Sequence, residues 1–261
     1  MISFPLLKYH IRSNAKFLLA FTAALCLFVT VMCNVFTPVT LGSLAGAAGG
    51  TMLGDLLGKA NTLAGSLANT FFAIMAIIFP MLYSILVGNR LVAEQVDRGT
   101  LAGFLAAPVT KLKYVLTAAV YLVFSLALMW AVVGAVGCVA AHAFQPGELD
   151  VDAYLTMVAG CFLYHIAVSG FCFCASCVFN LSKTSLGIGG GVSLFFFFDA
   201  LLVKLSDDLD FLKYFTLNTL FDTQKILGGS GYGTDFIILA ATGLTMYAAG
   251  IVVFTKKDLP V

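Results

Sequence analysis

The chain reads as an all-α integral membrane protein: six transmembrane helices, an interfacial N-terminal helix, and short re-entrant helices before the last span. Three observations predict this. Hydrophobic residues make up 61% of the 261 positions, charged residues only 10%, and mean hydropathy is +1.01. Globular chains carry about 25% charged residues, so one aqueous core cannot cover this much apolar surface. Uncharged runs recur at spanning length and lack the alternation of barrel strands. Only helices or closed barrels satisfy backbone hydrogen bonds in lipid, so the runs are helices. The net charge of +1 says nothing by itself, but a nucleic-acid partner would need a basic face, which the sequence does not offer.

Residues 1–16 mix Phe4, Leu6, Leu7, Tyr9 and Ile11 with Lys8, His10, Arg12 and Lys16. That pattern suits a helix lying in the membrane interface with its basic residues toward anionic headgroups; an ordinary charged N-terminal tail would fit these residues equally well. The first span covers about residues 17–36. Its length is nearer the roughly 20 residues of a span than the 7–15 of a signal core. Cys33, Asn34 and Val35 also make a poor small-residue cleavage site, so a retained span is expected.

The first outer loop, about 37–67, is rich in Gly, Ala, Ser and Thr. Within it Gly54, Gly58, Lys59 and Ala60 have the outline of a phosphate loop. The glycines stand one residue too close, and Ala60 takes the place of the Ser or Thr that would hold magnesium. No nucleotide motif remains in the chain.

The further spans cover about 68–88, 114–142, 153–179, 185–203 and 235–254, all within a single transmembrane domain, 1–261. Pro80 is expected to kink the second. In the fifth, Gly187 and Gly189 to Gly191 loosen the first turns, and Asp199 interrupts the apolar run. Between 204 and 234, Phe211, Tyr214, Phe215, Leu217, Leu220, Phe221, Ile226 and Leu227 alternate irregularly with polar residues. One or two short amphipathic helices dipping into the outer leaflet fit that pattern.

Lysine and arginine set the orientation. With the N-terminus inside, ten of them fall in cytoplasmic segments: Lys8, Arg12, Lys16, Arg90, Arg98, Lys111, Lys113, Lys183, Lys256 and Lys257. Only Lys59, Lys204, Lys213 and Lys225 fall outside. Both termini are therefore expected in the cytoplasm, with the protein multi-pass in the cell (plasma) membrane.

Residues 90–113 stand apart from their surroundings as a polar insert between two uncharged spans. Arg90, Glu94 and Arg98 are spaced by four and line one face of a short helix. Gly99 ends that helix, and Thr100 is suited to cap a second. Leu101, Phe104 and Leu105 form an apolar edge that Pro108 closes. A hydrophobic ridge beside fixed charges suits docking into a groove on a partner; an ordinary inter-span loop would also fit these residues.

The run Glu94, Gly99, Thr100, Leu101, Leu105, Pro108, Val109, Lys111 resembles the cytoplasmic coupling region between spans two and three of ABC-2 type transporter permeases. The C-terminal Phe254, Lys256, Lys257, Asp258 is similar to that family's closing pattern. The resemblance implies a permease subunit of an exporter or flippase, with Glu94, Arg98, Gly99, Thr100, Leu101, Leu105 and Pro108 at or beside the coupling helix. It implies no catalytic residue and no cofactor in this chain: ATP and magnesium would be bound by separate cytoplasmic ABC ATPase subunits. It also implies a second permease copy or homologue, in a lipid environment.

An ionisable residue within a span is a functional hypothesis by default. Asp199 is therefore the candidate pathway residue, and it carries the alternative reading of an ion- or proton-coupled secondary transporter. A carboxylate reaching water at the outer interface is the plain alternative. His142 and His165 are expected to make helix–helix hydrogen bonds. Cys172, Cys174 and Cys177 are expected to be small buried apolar residues and not metal ligands. The pairs Gly187/Gly191 and Gly134/Gly137 mark candidate sites of close helix packing.

Overall fold

The computed structural model describes residues 3–37, 40, 62–101, 103, 110–205 and 216–258, with only the backbone of 200–205. Among these residues every regular element is helical. The helices are α1 (Phe4–Val35), α2 (Leu63–Asn69), α3 (Ala76–Leu91), α4 (Ala93–Asp97), α5 (Lys111–Phe144), α6 (Val151–Val178), α7 (Ser182–Leu205), α8 (Thr223–Leu227) and α9 (Tyr232–Lys256). A π-turn, Phe71–Met75, joins α2 to α3, and a 3-10 turn, Leu217–Leu220, precedes α8.

Among the described residues, five stretches are long and apolar enough to cross a membrane: α1, the run Leu63–Asp97, α5, α6 and α9. They coincide with five of the six expected spans. The weakest of the six, around 185–203, is the 24-residue helix α7.

The N-terminal segment is not a separate interfacial helix; it is the first part of α1. At about 1.5 Å per residue, these 32 residues exceed the roughly 30 Å hydrocarbon core. Leu6, His10 and Asn14, spaced by four, are buried on one face, and His10 packs against Tyr114 and Tyr121 of α5. Lys8, Arg12 and Lys16 are exposed on the other. Packing on α5 takes the place of the expected contact with headgroups along the buried face.

The helix α6 sits centrally, packed against α3, α5, α7 and α9. Lipid supplies no hydrophobic drive between helices, so close approach and interhelical hydrogen bonds hold them. A Cβ on Gly243 of α9 would come within 3.0 Å of the Ile166 backbone, and one on Gly170 of α6 within 3.0 Å of the Gly243 carbonyl. The tightest backbone approach is therefore between α6 and α9. Gly134 and Gly137 do face α6, meeting Val158 and Tyr154, whereas added Cβ atoms on Gly187 and Gly191 would meet open space.

Pro80 lies inside α3, with the π-turn one turn before it. His165 of α6 reaches the carbonyl of Ile77 at 3.1 Å and its own helix at Cys161, 2.7 Å. This is the helix–helix role expected of it; His142 lies exposed.

Helix caps and cross-ties divide the bundle into two ends. At one end the Gln145 amide donates to the carbonyls of Cys33 (2.6 Å) and Phe36 (2.9 Å). There too Lys225 meets Asp235 at 2.7 Å. The opposite end gathers the start of α1, the α3–α4 turn, the start of α5, the α6–α7 corner and the end of α9. Of the expected re-entrant segment, the described part forms the 3-10 turn and α8, capped by Asp222 through Gln224 N–H at 2.8 Å. Residues 206–215, and most of the first outer loop with Gly54 to Ala60, lie outside the described residues.

Candidate functional site

The polar insert begins where α3 stops. After Leu91 the backbone of Val92 leaves the helical region, at φ −129° and ψ −70°, and α4 restarts at Ala93. The spacing by four survives this break. Glu94 pairs with Arg98 at 2.7 Å and with Arg90 at 3.8 Å, and the Arg90 guanidinium lies 4.8 Å above the Phe17 ring of α1.

Gly99 ends α4 as expected: its φ is +68°, a left-handed conformation that favours glycine. Its N–H bonds to Val96 at 3.0 Å. Thr100 is already helical, so it follows the cap position instead of occupying it. Its hydroxyl turns back to Gln95, 2.6 Å from the side-chain oxygen and 3.2 Å from the carbonyl.

Leu101 corrects one expectation. It is only 4% exposed and belongs to the core, as does Val96. Its apolar side chain anchors the turn to its own bundle and is not presented to a partner. What faces outward is polar and small: Arg98, with 70% of its side chain exposed, then Gly99, Thr100 and Gly103. Phe104, Leu105 and Pro108 lie outside the described residues.

The base beneath this turn is hydrogen-bonded to three other helices, and the end of α9 is tied in beside them. The Tyr114 hydroxyl of α5 donates to the Leu91 carbonyl at 2.8 Å. The Ala93 N–H donates to Ser176 of α6 at 3.0 Å, and the Asn89 amide donates to the Ser182 hydroxyl at 2.7 Å. Lys257, just past α9, donates to the carbonyls of Val178 and Cys177, which end α6. Lys111 donates in turn to the Lys257 carbonyl at 3.0 Å. Cations at a helix C-terminus complement its dipole; partial burial pushes the Lys257 ammonium below the ordinary lysine range.

Asp199 is the second sequence candidate and lies apart from the turn, toward the other end of α7. It is 2% exposed, and its Oδ2 has no hydrogen-bond partner among the described residues. Buried unpaired polar atoms are rare and call for an explanation. Cys172 and Cys177 are buried, Cys174 half-buried. The Cys172 thiol lies 3.3 Å from the Ser193 hydroxyl at the α6–α7 contact. Among the described residues no cluster of three His, Cys, Asp or Glu side chains is placed to hold a metal.

Sequence reasoning passed over Asp97, Asn89 and Ser182. The Asp97 carboxylate accepts the Ser182 N–H at 3.2 Å, across 85 positions of chain. Only one signal was available: an acidic residue at the end of one short helix and a serine at the start of another.

A family model described as "ABC-2 family transporter protein" matches residues 9–259. No curated protein matches the chain.

Proposed function

The chain belongs to the ABC-2 transporter family, and on that premise we propose that it is the membrane-spanning permease of an ATP-driven exporter or flippase. Separate cytoplasmic subunits bind ATP and magnesium, and a second permease copy or homologue completes the membrane unit. Both termini and the polar turn lie in the cytoplasm, at the cell (plasma) membrane. The fifth expected span is α7, which makes six in all, and the segment before α9 re-enters the outer leaflet.

One observation supports this reading above the others. The turn at 93–103 shows charge and small residues outward, while its base is hydrogen-bonded to α5, α6 and α7. Such a piece transmits force. When two motor subunits close on ATP, a rigid turn seated on them carries that displacement into the helices it is tied to. Glu94 and Arg98 with Gly99 and Thr100 form the contact face, and Leu101 holds that face on the bundle; Leu105 and Pro108 belong to the same coupling region by sequence. No chemistry is required of this chain.

Asp199 favours a second reading, an ion- or proton-coupled secondary transporter, because its Oδ2 is buried without a partner among the described residues. The two readings separate in one experiment: mild-detergent purification from the native host, followed by mass spectrometry. A stoichiometric ATP-binding subunit supports the permease. Its reproducible absence, with folded protein and after crosslinking, supports the secondary transporter.

A further inference from the structure

We propose that α7 is the output helix of the coupling turn, gripped at Ser182 by Asn89 and Asp97 acting as positioning residues. The proposal rests on the permease reading for what moves the turn, but the grip itself stands on geometry alone. Ser182 is held from two sides: its hydroxyl accepts from Asn89 at 2.7 Å, and its N–H donates to Asp97 at 3.2 Å. The first N–H groups of a helix have no partner within it. Asp97 supplies that partner from another element, as an N-cap does from the same chain segment. In the last turn of α6, six residues before Ser182, Ser176 accepts from Ala93, the first residue of α4.

The ties of α4 itself therefore run to the α6–α7 corner. Helix α5, although next in the chain, is tied through Leu91, which belongs to α3 and precedes the turn. A displacement of α4 passes first to Ser176 and Ser182. From Ser182 the continuous helix extends about 25 Å to Asp199, at roughly 1.5 Å per residue. The structure thus links the cytoplasmic contact face to the buried carboxylate through one element, the kind of physical connection that coupling needs.

The test uses the full chain in nanodiscs, with its co-purified ATPase, and compares D97A/S182A with D97N. Asp97 is exposed and Ser182 half-buried, so the double variant is expected to fold. It removes both grips on residue 182, whereas Asn at 97 keeps an acceptor oxygen. Without nucleotide, backbone amides at 182–186 should exchange about five-fold faster in D97A/S182A, matching the loss of a cap. They should stay near wild type in D97N. On adding ATP and magnesium, exchange along α7 should change in wild type and D97N but not in D97A/S182A, which still co-purifies with the ATPase. Unchanged exchange at 182–186 in D97A/S182A, or a full ATP response of α7 in that variant, overturns the proposal. If no ATPase accompanies even the wild type, the permease reading fails, while the nucleotide-free comparison still decides the grip.

Discussion

Arg98 and Glu94 lie 2.7 Å apart, one helical turn from each other, yet they meet water very differently. The Arg98 side chain is 70% exposed, and that of Glu94 is 18% exposed. The carboxylate is sheltered by its own bundle and holds an arginine outward. That arrangement fixes the charge of this outward face within the chain itself.

Replacing Glu94 with Gln should therefore leave stability nearly intact and impair coupling. A helical i,i+4 ion pair contributes about 0.3–0.5 kcal/mol. Thermal melting of the purified permease should shift little, while stimulation of the associated ATPase falls. Undiminished stimulation in E94Q would remove Glu94 from the contact face.

Leu101 should behave in the opposite way. Its side chain is buried, and truncating a buried Leu to Ala costs about 2–5 kcal/mol. L101A should melt well below wild type, and its loss of coupling should follow its loss of fold. A wild-type melting curve for L101A would put this side chain back on the surface, where the sequence alone had placed it.

Sequence reading went far in some places and stopped in others for physical reasons. The places of five spans and the gathering of basic residues at one end were legible, because a bilayer crossing demands a long apolar run and positive charge is distributed asymmetrically. The Arg90, Glu94, Arg98 face and the Gly99 stop were legible because both are local. The inward turn of Leu101 was not, since an apolar residue on a short amphipathic helix fits a partner or its own core equally well. The continuity of α1 was hidden because polar His10 packs against tyrosines of α5, more than 100 residues away. The Asp97 tie to Ser182 joins distant positions and leaves no periodic trace.

Helix packing gives a comparison between two glycines. G243A would push a methyl group against Ile166, whose backbone lies 3.0 Å from the added atom. Overpacking of this kind costs about 1–3 kcal/mol. G191A meets nothing within 4 Å and gains helix propensity, up to about 1 kcal/mol. Melting in identical nanodiscs should rank G191A at or above wild type and G243A below it. The reverse order would contradict the α6–α9 contact.

Asp199 should trade stability for activity. Removing a buried polar group that lacks a partner relieves about 1–3 kcal/mol, so D199L should melt higher than wild type. If the carboxylate serves the transport path, the same variant loses ATP-driven transport in vesicles once a substrate is in hand. A D199L protein that melts lower would show that the carboxylate is satisfied.

At the other end, the hydrogen bond to Asp235 raises the Lys225 ammonium above the ordinary lysine range. A raised lysine stabilises the fold below its unfolded value, and that contribution is lost as pH climbs through the folded one. The melting difference between wild type and K225M should hold steady from neutral to moderately alkaline pH, then shrink in strong alkali. A difference that is already gone at mildly alkaline pH would show that the pair is not formed.

The central claim is that the turn at 93–103 seats a motor subunit. It is tested most directly by a photo-crosslinking residue at position 100, activated in native membranes, with position 148 at the opposite end as the control. The expected result is an adduct from position 100 to a nucleotide-binding protein, and none from position 148. No adduct from 100 in a folded, membrane-inserted protein, or the same adduct from 148, would contradict the assignment of this face.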